Sequence, residues 1–137
     1  MPIIIRNIFE DYCKEKFNVK DCVAVNNGSS ALIAPLWFVD IKEDNFLIDE
    51  NKIEAAITSK TKAILPVHLY GQACNMDAIM TIAKKHNLIV IEDCAQSFGA
   101  MYKDQMVGTF GDVGAFSFHK TKTMSTFEGG MILTPHH

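Results

Sequence analysis

Between Lys62 and Asp93, two apolar runs flank one amphipathic stretch, and few folds accommodate that order. Lys62-Ala-Ile-Leu-Pro-Val67 and Leu88-Ile-Val-Ile91 read as strands buried on both faces. Near-continuous apolar strands belong to parallel sheets, whose two faces are covered by helices. Asn75 or Asp77 starts a helix running to Lys85, with Ile79, Ile82 and Ala83 on its inner face and Asn87 as C-cap. Strand, helix and strand make a βαβ unit. Ligands of such sheets bind beyond the carboxyl ends of the strands. His68-Leu-Tyr-Gly-Gln72 and Glu92-Asp93 leave those ends, so a site belongs there.

The flanking segments extend the pattern. Ile5, Ile8, Phe9, Tyr12 and Phe17 predict an amphipathic packing helix over 5–17. Cys22-Val-Ala-Val25 predicts a short strand, broken at Asn26-Asn-Gly-Ser-Ser30 before a helix begins at Ala31. Gly28 suits a positive φ, and Ser29 or Ser30 caps the helix. The free amides and the positive helix end there suit an anion, although an ordinary capped turn accounts for the same residues. Pro35 then cuts the helix after one turn, and Leu36-Trp-Phe-Val39 reads as another strand. A parallel crossover takes a dozen residues or more, and this connection is too short for one. Asp49 caps a helix over 50–58, with Ile53, Ala56 and Ile57 facing inward. Residues 102–110 read as a hairpin or loop, 113–118 as a strand, and 131–134 as a last strand. The expected architecture is a single α/β domain over 1–137, a mostly parallel sheet with flanking helices.

Composition narrows the function. A chain of 137 residues suits one domain, and 48% apolar with 21% charged residues is ordinary for a globular protein. A net charge of −3 without a basic stripe argues against nucleic acid. No run approaches a membrane span, and Met1–Arg6 is too short for a signal-peptide core. Cys13, Cys22, Cys74 and Cys94 form no Cys-x-x-Cys pair, which argues against zinc and against a disulfide framework. They read as reduced thiols of a cytoplasmic protein, with Cys94 as core filler.

Lys120 and Lys122 follow the strand over 113–118. A lysine that bonds a carbonyl must first lose its proton, which partial burial and a cationic neighbour favour. A pyridoxal phosphate site needs such a lysine, a carboxylate for the pyridine nitrogen and donors for the phosphate. Asp93, one of the two lysines and the Gly28–Ser30 turn supply those types on one sheet edge. Singly, each has a plainer reading: a strand-end cap, a surface charge, a turn.

The residues then become specific. Val90-Ile-Glu-Asp-Cys-Ala-Gln-Ser-Phe-Gly-Ala100, Gly108-Thr-Phe-Gly-Asp-Val-Gly-Ala-Phe-Ser-Phe-His-Lys-Thr-Lys122 and Glu128-Gly-Gly130 resemble the DegT/DnrJ/StrS family of sugar aminotransferases. Pro66-Val-His-Leu-Tyr-Gly-Gln72 and Asn27-Gly-Ser-Ser-Ala-Leu32 match as well. The resemblance implies the large domain of an aspartate-aminotransferase-like fold and pyridoxal 5'-phosphate as cofactor. It implies amino transfer from an amino acid, commonly glutamate, to a keto sugar on a nucleotide carrier, in amino-sugar and polysaccharide biosynthesis, by a homodimer. Carried over, Lys122 is the cofactor lysine and Asp93 the pyridine carboxylate. Gln96 bonds the ring hydroxyl, and Ser117 with Gly28 and Ser29 holds the phosphate. Lys120 is a bystander, His119 a rim residue, and His68 and Tyr70 shape their loop. Lys122 in place of a histidine implies transamination rather than dehydration.

Full-length members are longer. The resemblance implies that a segment is missing between residues 34 and 35, and with it the aromatic that stacks on the cofactor, and that the small domain is absent. Two alternatives follow. One is a catalytically inactive remnant that binds cofactor or partners. The other is an unrelated doubly wound domain using Glu92 and Asp93 as metal ligands, which no second carboxylate cluster supports.

Overall fold

The computed structural model describes residues 38–134, together with Asp11 and Glu15. The chain divides into two compact units, Met1–Trp37 and Phe38–His137, and the elements below belong to the second. Asp11 and Glu15 are helical, as predicted for 5–17. The strand expected over 22–25, the Gly28–Ser30 turn, the helix start at Ala31 and the junction at residues 34 and 35 lie outside the described residues.

The βαβ unit forms. Its strands are β1 (Ala63–Ile64) and β2 (Ile89–Asp93), paired in parallel with Ala63 opposite Ile89. The connecting helix runs Met76–His86. Asn75 caps its start by accepting from the Ala78 amide at 3.3 Å, and Asn87 ends it in the left-handed conformation. β1 is shorter than the strand expected over 62–67, because Pro66 has no N–H for the ladder. Pairing resumes past it: Asp93 donates to the Pro66 carbonyl at 2.9 Å, and His68 donates to the Asp93 carbonyl at 3.0 Å.

The sheet grows from β2 to β5 (Val113–Ser117) in parallel and then to β6 (Gly130–Leu133) antiparallel, in the order β1-β2-β5-β6. Between β2 and β5 the chain makes the small hairpin of β3 (Met101–Tyr102) and β4 (Gln105–Met106). Its two turn residues, Lys103 and Asp104, both have positive φ, the signature of a turn that matches strand twist.

Two expectations need correction. The helix capped by Asp49 covers Glu50–Ala56 and stops short of Thr58. Ile57 and Thr58 are both β-branched, and the Thr58 amide bonds the Thr61 hydroxyl at 3.0 Å instead of a helical carbonyl. The strand expected over 36–39 is not formed at its described end. Phe38 and Val39 are irregular, and a turn follows in which Lys42 donates to the Leu47 carbonyl at 2.9 Å. Asn45 drives that turn, its side chain accepting from the Leu47 amide at 3.0 Å.

Alternation divides the sheet. Val90, Glu92, Cys94, Gly114 and Phe116 are buried on one face. Leu47, Ile53, Ile64, Met76, Ile79 and Val90 form one core cluster, and Cys94, Val107 and Phe116 a second. The other face carries Ile91, Asp93, Val113, Ala115 and Ser117, with Ile132 72% exposed. The first face is packed so closely that a Cβ on Gly114 would lie 2.3 Å from the Gly108 carbonyl oxygen.

Candidate active site

Asp93 ends β2 on the more open face of the sheet. One carboxylate oxygen, Oδ1, accepts from the Ala95 amide at 2.9 Å, which fixes the side chain and leaves the second oxygen without a partner among the described residues. Its backbone is held on both sides. The segment that follows β1 bonds it through Pro66 and His68, and the next amide, Cys94, donates to the Ala115 carbonyl of β5 at 2.8 Å. Asp93 and Ala115 are register partners, so Ser117 lies on the same face and further toward the carboxyl edge.

Gln96 follows in the loop leaving β2. Its Oε1 accepts from the Tyr70 amide at 3.4 Å, leaving its amide N–H groups to donate. That bond ties the two exit loops together and holds Tyr70, 73% exposed, at φ 54 and ψ 34. Ser117 accepts weakly from the His119 amide at 3.4 Å, so its hydroxyl proton is free to donate. Lys122 sits in a turn where its amide donates to the His119 carbonyl at 2.8 Å. Its ammonium group has no partner among the described residues, and the residue is half-buried where Lys120 is exposed. His119 Nδ1 meets the Thr121 hydroxyl at 3.0 Å, a bond that shapes this turn.

Asp93 and Ser117 thus share one face of adjacent strands, and Gln96 and Lys122 lie on the loops that leave those strands. Gly28 and Ser29 lie outside the described residues. An ionisable carboxylate, an amide, a hydroxyl and an amine are the donor set that a pyridine nitrogen, a ring hydroxyl, a phosphate and an aldehyde require, so these residues fit pyridoxal phosphate.

Glu92 is what residue patterns missed. It is fully buried, and four donors surround its carboxylate. Oε2 accepts from His68 Nε2 at 3.0 Å and from the Gly108 amide at 2.7 Å. Oε1 accepts from the amides of Phe110 at 2.8 Å and Gly111 at 2.7 Å. His68 Nδ1 accepts from the Cys74 amide at 3.1 Å, which places its single proton on Nε2, aimed at Glu92. Burial is the largest influence on the Glu92 carboxyl and pushes its pKa up. The bonds from His68, Gly111, Gly108 and Phe110 outweigh it and hold the carboxyl below its ordinary value.

This geometry corrects the metal alternative. Glu92 and Asp93, adjacent on a strand, face opposite sides of the sheet and cannot share an ion. His68, Glu92 and Cys94 do gather their ligand atoms within 4.8 Å. The histidine and carboxylate are spent on each other and on amides, and burial, then the charge of Glu92, pushes the Cys94 thiol up to about 12. Nothing local in the sequence signals this role, because three of the four partners of Glu92 are backbone amides.

An open, mostly parallel α/β sheet with this donor set at its carboxyl edge defines the class of pyridoxal-phosphate-dependent transferases. The model of the DegT/DnrJ/EryC1/StrS aminotransferase family matches residues 34–137. The chain belongs to that family. It is 53% identical over 97 residues to a GDP-perosamine synthase of Escherichia coli O157:H7, covering 71% of this chain and 27% of that protein. It is 40% identical over 158 positions to a GDP-perosamine synthase of Caulobacter vibrioides, covering 92% of this chain and 42% of that one. A putative sugar aminotransferase of Streptococcus pneumoniae, solved in its PLP-form, superposes with a TM-score of 0.72 at 33% identity, over 80% of this chain and 33% of that chain. The chain therefore spans less than half the length of the curated relatives it matches here. Among the described residues no helix is long and apolar enough to cross a membrane.

Proposed function

We propose that this chain is part of a pyridoxal-phosphate-dependent aminotransferase. It would move an amino group from an amino acid, glutamate, to a nucleotide-linked keto sugar in amino-sugar biosynthesis. The observation that carries the reading is the placement of Asp93 and Ser117 on one face of adjacent parallel strands, with Lys122 on the loop that leaves the second. The sugar aminotransferase relatives support the substrate class. The buried, unpaired thiols Cys74 and Cys94 support a reducing, cytoplasmic setting. A homodimer is part of the proposal, as the family resemblance implies.

When bound, pyridoxal phosphate supplies the electron sink for the reaction. Asp93, oriented by Ala95, would keep the pyridine nitrogen protonated through its unengaged oxygen. Gln96 would donate to the ring hydroxyl, and Ser117, with Gly28 and Ser29, would hold the phosphate. Lys122 Nζ would anchor the aldehyde carbon and then carry a proton between donor and acceptor carbons.

We read residues 1–137 as a partial cofactor-binding large domain with a segment missing between 34 and 35. The Caulobacter alignment supports this. It runs over 158 positions while drawing on 92% of a 137-residue chain, so a stretch of that relative has no counterpart here. The same observation favours a second reading, an inactive remnant that keeps the fold and at most binds cofactor or a partner.

Titration with pyridoxal phosphate, read by the visible band of lysine-bound cofactor, tests the proposal. The band is expected in the wild type and in Lys120→Ala, and lost in Lys122→Ala. Its absence from soluble wild-type protein, or its survival in Lys122→Ala, overturns the reading. Conversion of the band by glutamate separates the enzyme from the remnant.

A further inference from the structure

Glu92 contributes no atom to the face that carries Asp93, yet it is the most heavily hydrogen-bonded side chain near it. Its carboxylate gathers three amides from the 108–111 loop and the Nε2 proton of His68. Gly108 in turn packs against Gly114 of β5. Three segments are thereby tied at one point: the loop that leaves β1 through His68, β2 through Glu92 itself, and β5 through the glycine loop. Two backbone bonds, Asp93 to Pro66 at 2.9 Å and His68 to Asp93 at 3.0 Å, flank the side-chain bond. The backbone around Asp93 is therefore held in the plane of the sheet by these bonds, and Glu92 is held on the buried face by its side-chain bonds.

We propose that Glu92 and His68 form a positioning pair that sets the direction of the Asp93 carboxylate from behind the sheet. The inference rests on the reading of Asp93 as the pyridine partner. It adds a backbone cause for that residue's direction to the side-chain bond from the Ala95 amide. The pair acts in two ways. It fixes the backbone from which Asp93 projects, and it places a second negative charge one residue away, where it favours a protonated pyridine nitrogen.

The two ring nitrogens of His68 separate this role from loop packing. Glutamine in its place keeps a donor toward Glu92 and loses the acceptor for Cys74. Asparagine keeps that acceptor and loses the donor. The expected result, in titrations of the purified chain with pyridoxal phosphate, is wild-type affinity for His68→Gln. Binding weaker by about tenfold or more, with a shifted visible band, is expected for His68→Asn and Glu92→Gln. Asp112→Asn is the control. Because asparagine keeps an oxygen that can accept from the Val90 amide, at 2.9 Å in the wild type, this variant removes a charge two residues from Glu92 with little disturbance of the sheet, and binding and spectrum are expected unchanged.

Wild-type affinity and spectrum in folded Glu92→Gln and His68→Asn would overturn the pairing. Equal losses in His68→Gln and His68→Asn would assign the effect to the 68–74 loop and also overturn it. If Glu92→Gln does not fold, the two His68 variants decide. A wild type with no visible band strikes the functional reading first, and the pairing falls with it. A wild-type band with unaffected variants strikes the pairing alone.

Discussion

His68 donates from Nε2 to Glu92 Oε2 across 3.0 Å, and neither side chain reaches water. Every partner of Glu92 is a donor, and His68 Nδ1 accepts from the Cys74 amide, so the proton in this bond sits on Nε2 and the carboxylate accepts it. Protonating Glu92 would turn a site built for an acceptor into a clash of donors.

Acid unfolding follows from this. The folded carboxyl is held below its ordinary value against the upward push of burial. A depressed carboxyl contributes stability that is complete above its unfolded value, about 4.3, and is lost as pH falls through the lower folded value. Thermal melting is therefore expected to fall steeply below about pH 4. Glu92→Gln should flatten that slope while lowering stability near neutrality by about 3 kcal/mol. Melting curves over a pH series measure both, and an unchanged acid slope in the variant would place its origin elsewhere.

Cysteine reactivity is a second outcome. Burial, as the main cause, pushes the Cys74 thiol up to about 11 and the Cys94 thiol up to about 12. Both are shut away from solvent, and Cys74 also donates to the Val67 carbonyl at 3.2 Å. Neither should form thiolate or meet reagent in the folded state. Alkylation followed by peptide mapping should leave both unmodified until denaturant is added. Labelling of either one in native protein would contradict the packing described above.

Backbone approach makes a third. An alanine Cβ at Gly114 would meet the Gly108 carbonyl oxygen at 2.3 Å, a backbone atom with no flexible side chain to give way. Gly114→Ala should destabilise by about 3 kcal/mol. Gly99 has open space around it and only a positive φ to satisfy, so Gly99→Ala should lose about 1 kcal/mol. Urea midpoints rank the two, and equal losses would refute the close approach.

What could be read from the residues was what acts locally. Asn75 and Asn87 bracket a helix with regular apolar spacing, and both ends fall where those caps put them. Lys103 and Asp104 turn a hairpin without glycine, so nothing sharpened that loop beforehand. Asp93 and Lys122 were visible through strand ends and motif resemblance. Glu92 was not, because its partners are a histidine far upstream and three amides far downstream. Backbone donors carry no residue signature, and the apolar run around Glu92 gives no hint of them. Pro66 had the opposite effect: a local rule, no N–H to donate, shortened a strand that apolar continuity alone would have extended.

Asp93→Asn isolates the charge at the centre of the site. Asparagine keeps an oxygen at Oδ1, so the bond to the Ala95 amide at 2.9 Å survives and the loop leaving β2 keeps its shape. Melting should match the wild type. What disappears is the negative charge that would hold a proton on the pyridine nitrogen, a stabilisation of the type that removes on the order of a hundredfold in rate when lost. The glutamate half-reaction, followed by decay of the visible cofactor band, should slow by about that factor while the band itself still forms through Lys122. A half-reaction at wild-type speed would mean that Asp93 is a strand-end cap and no more.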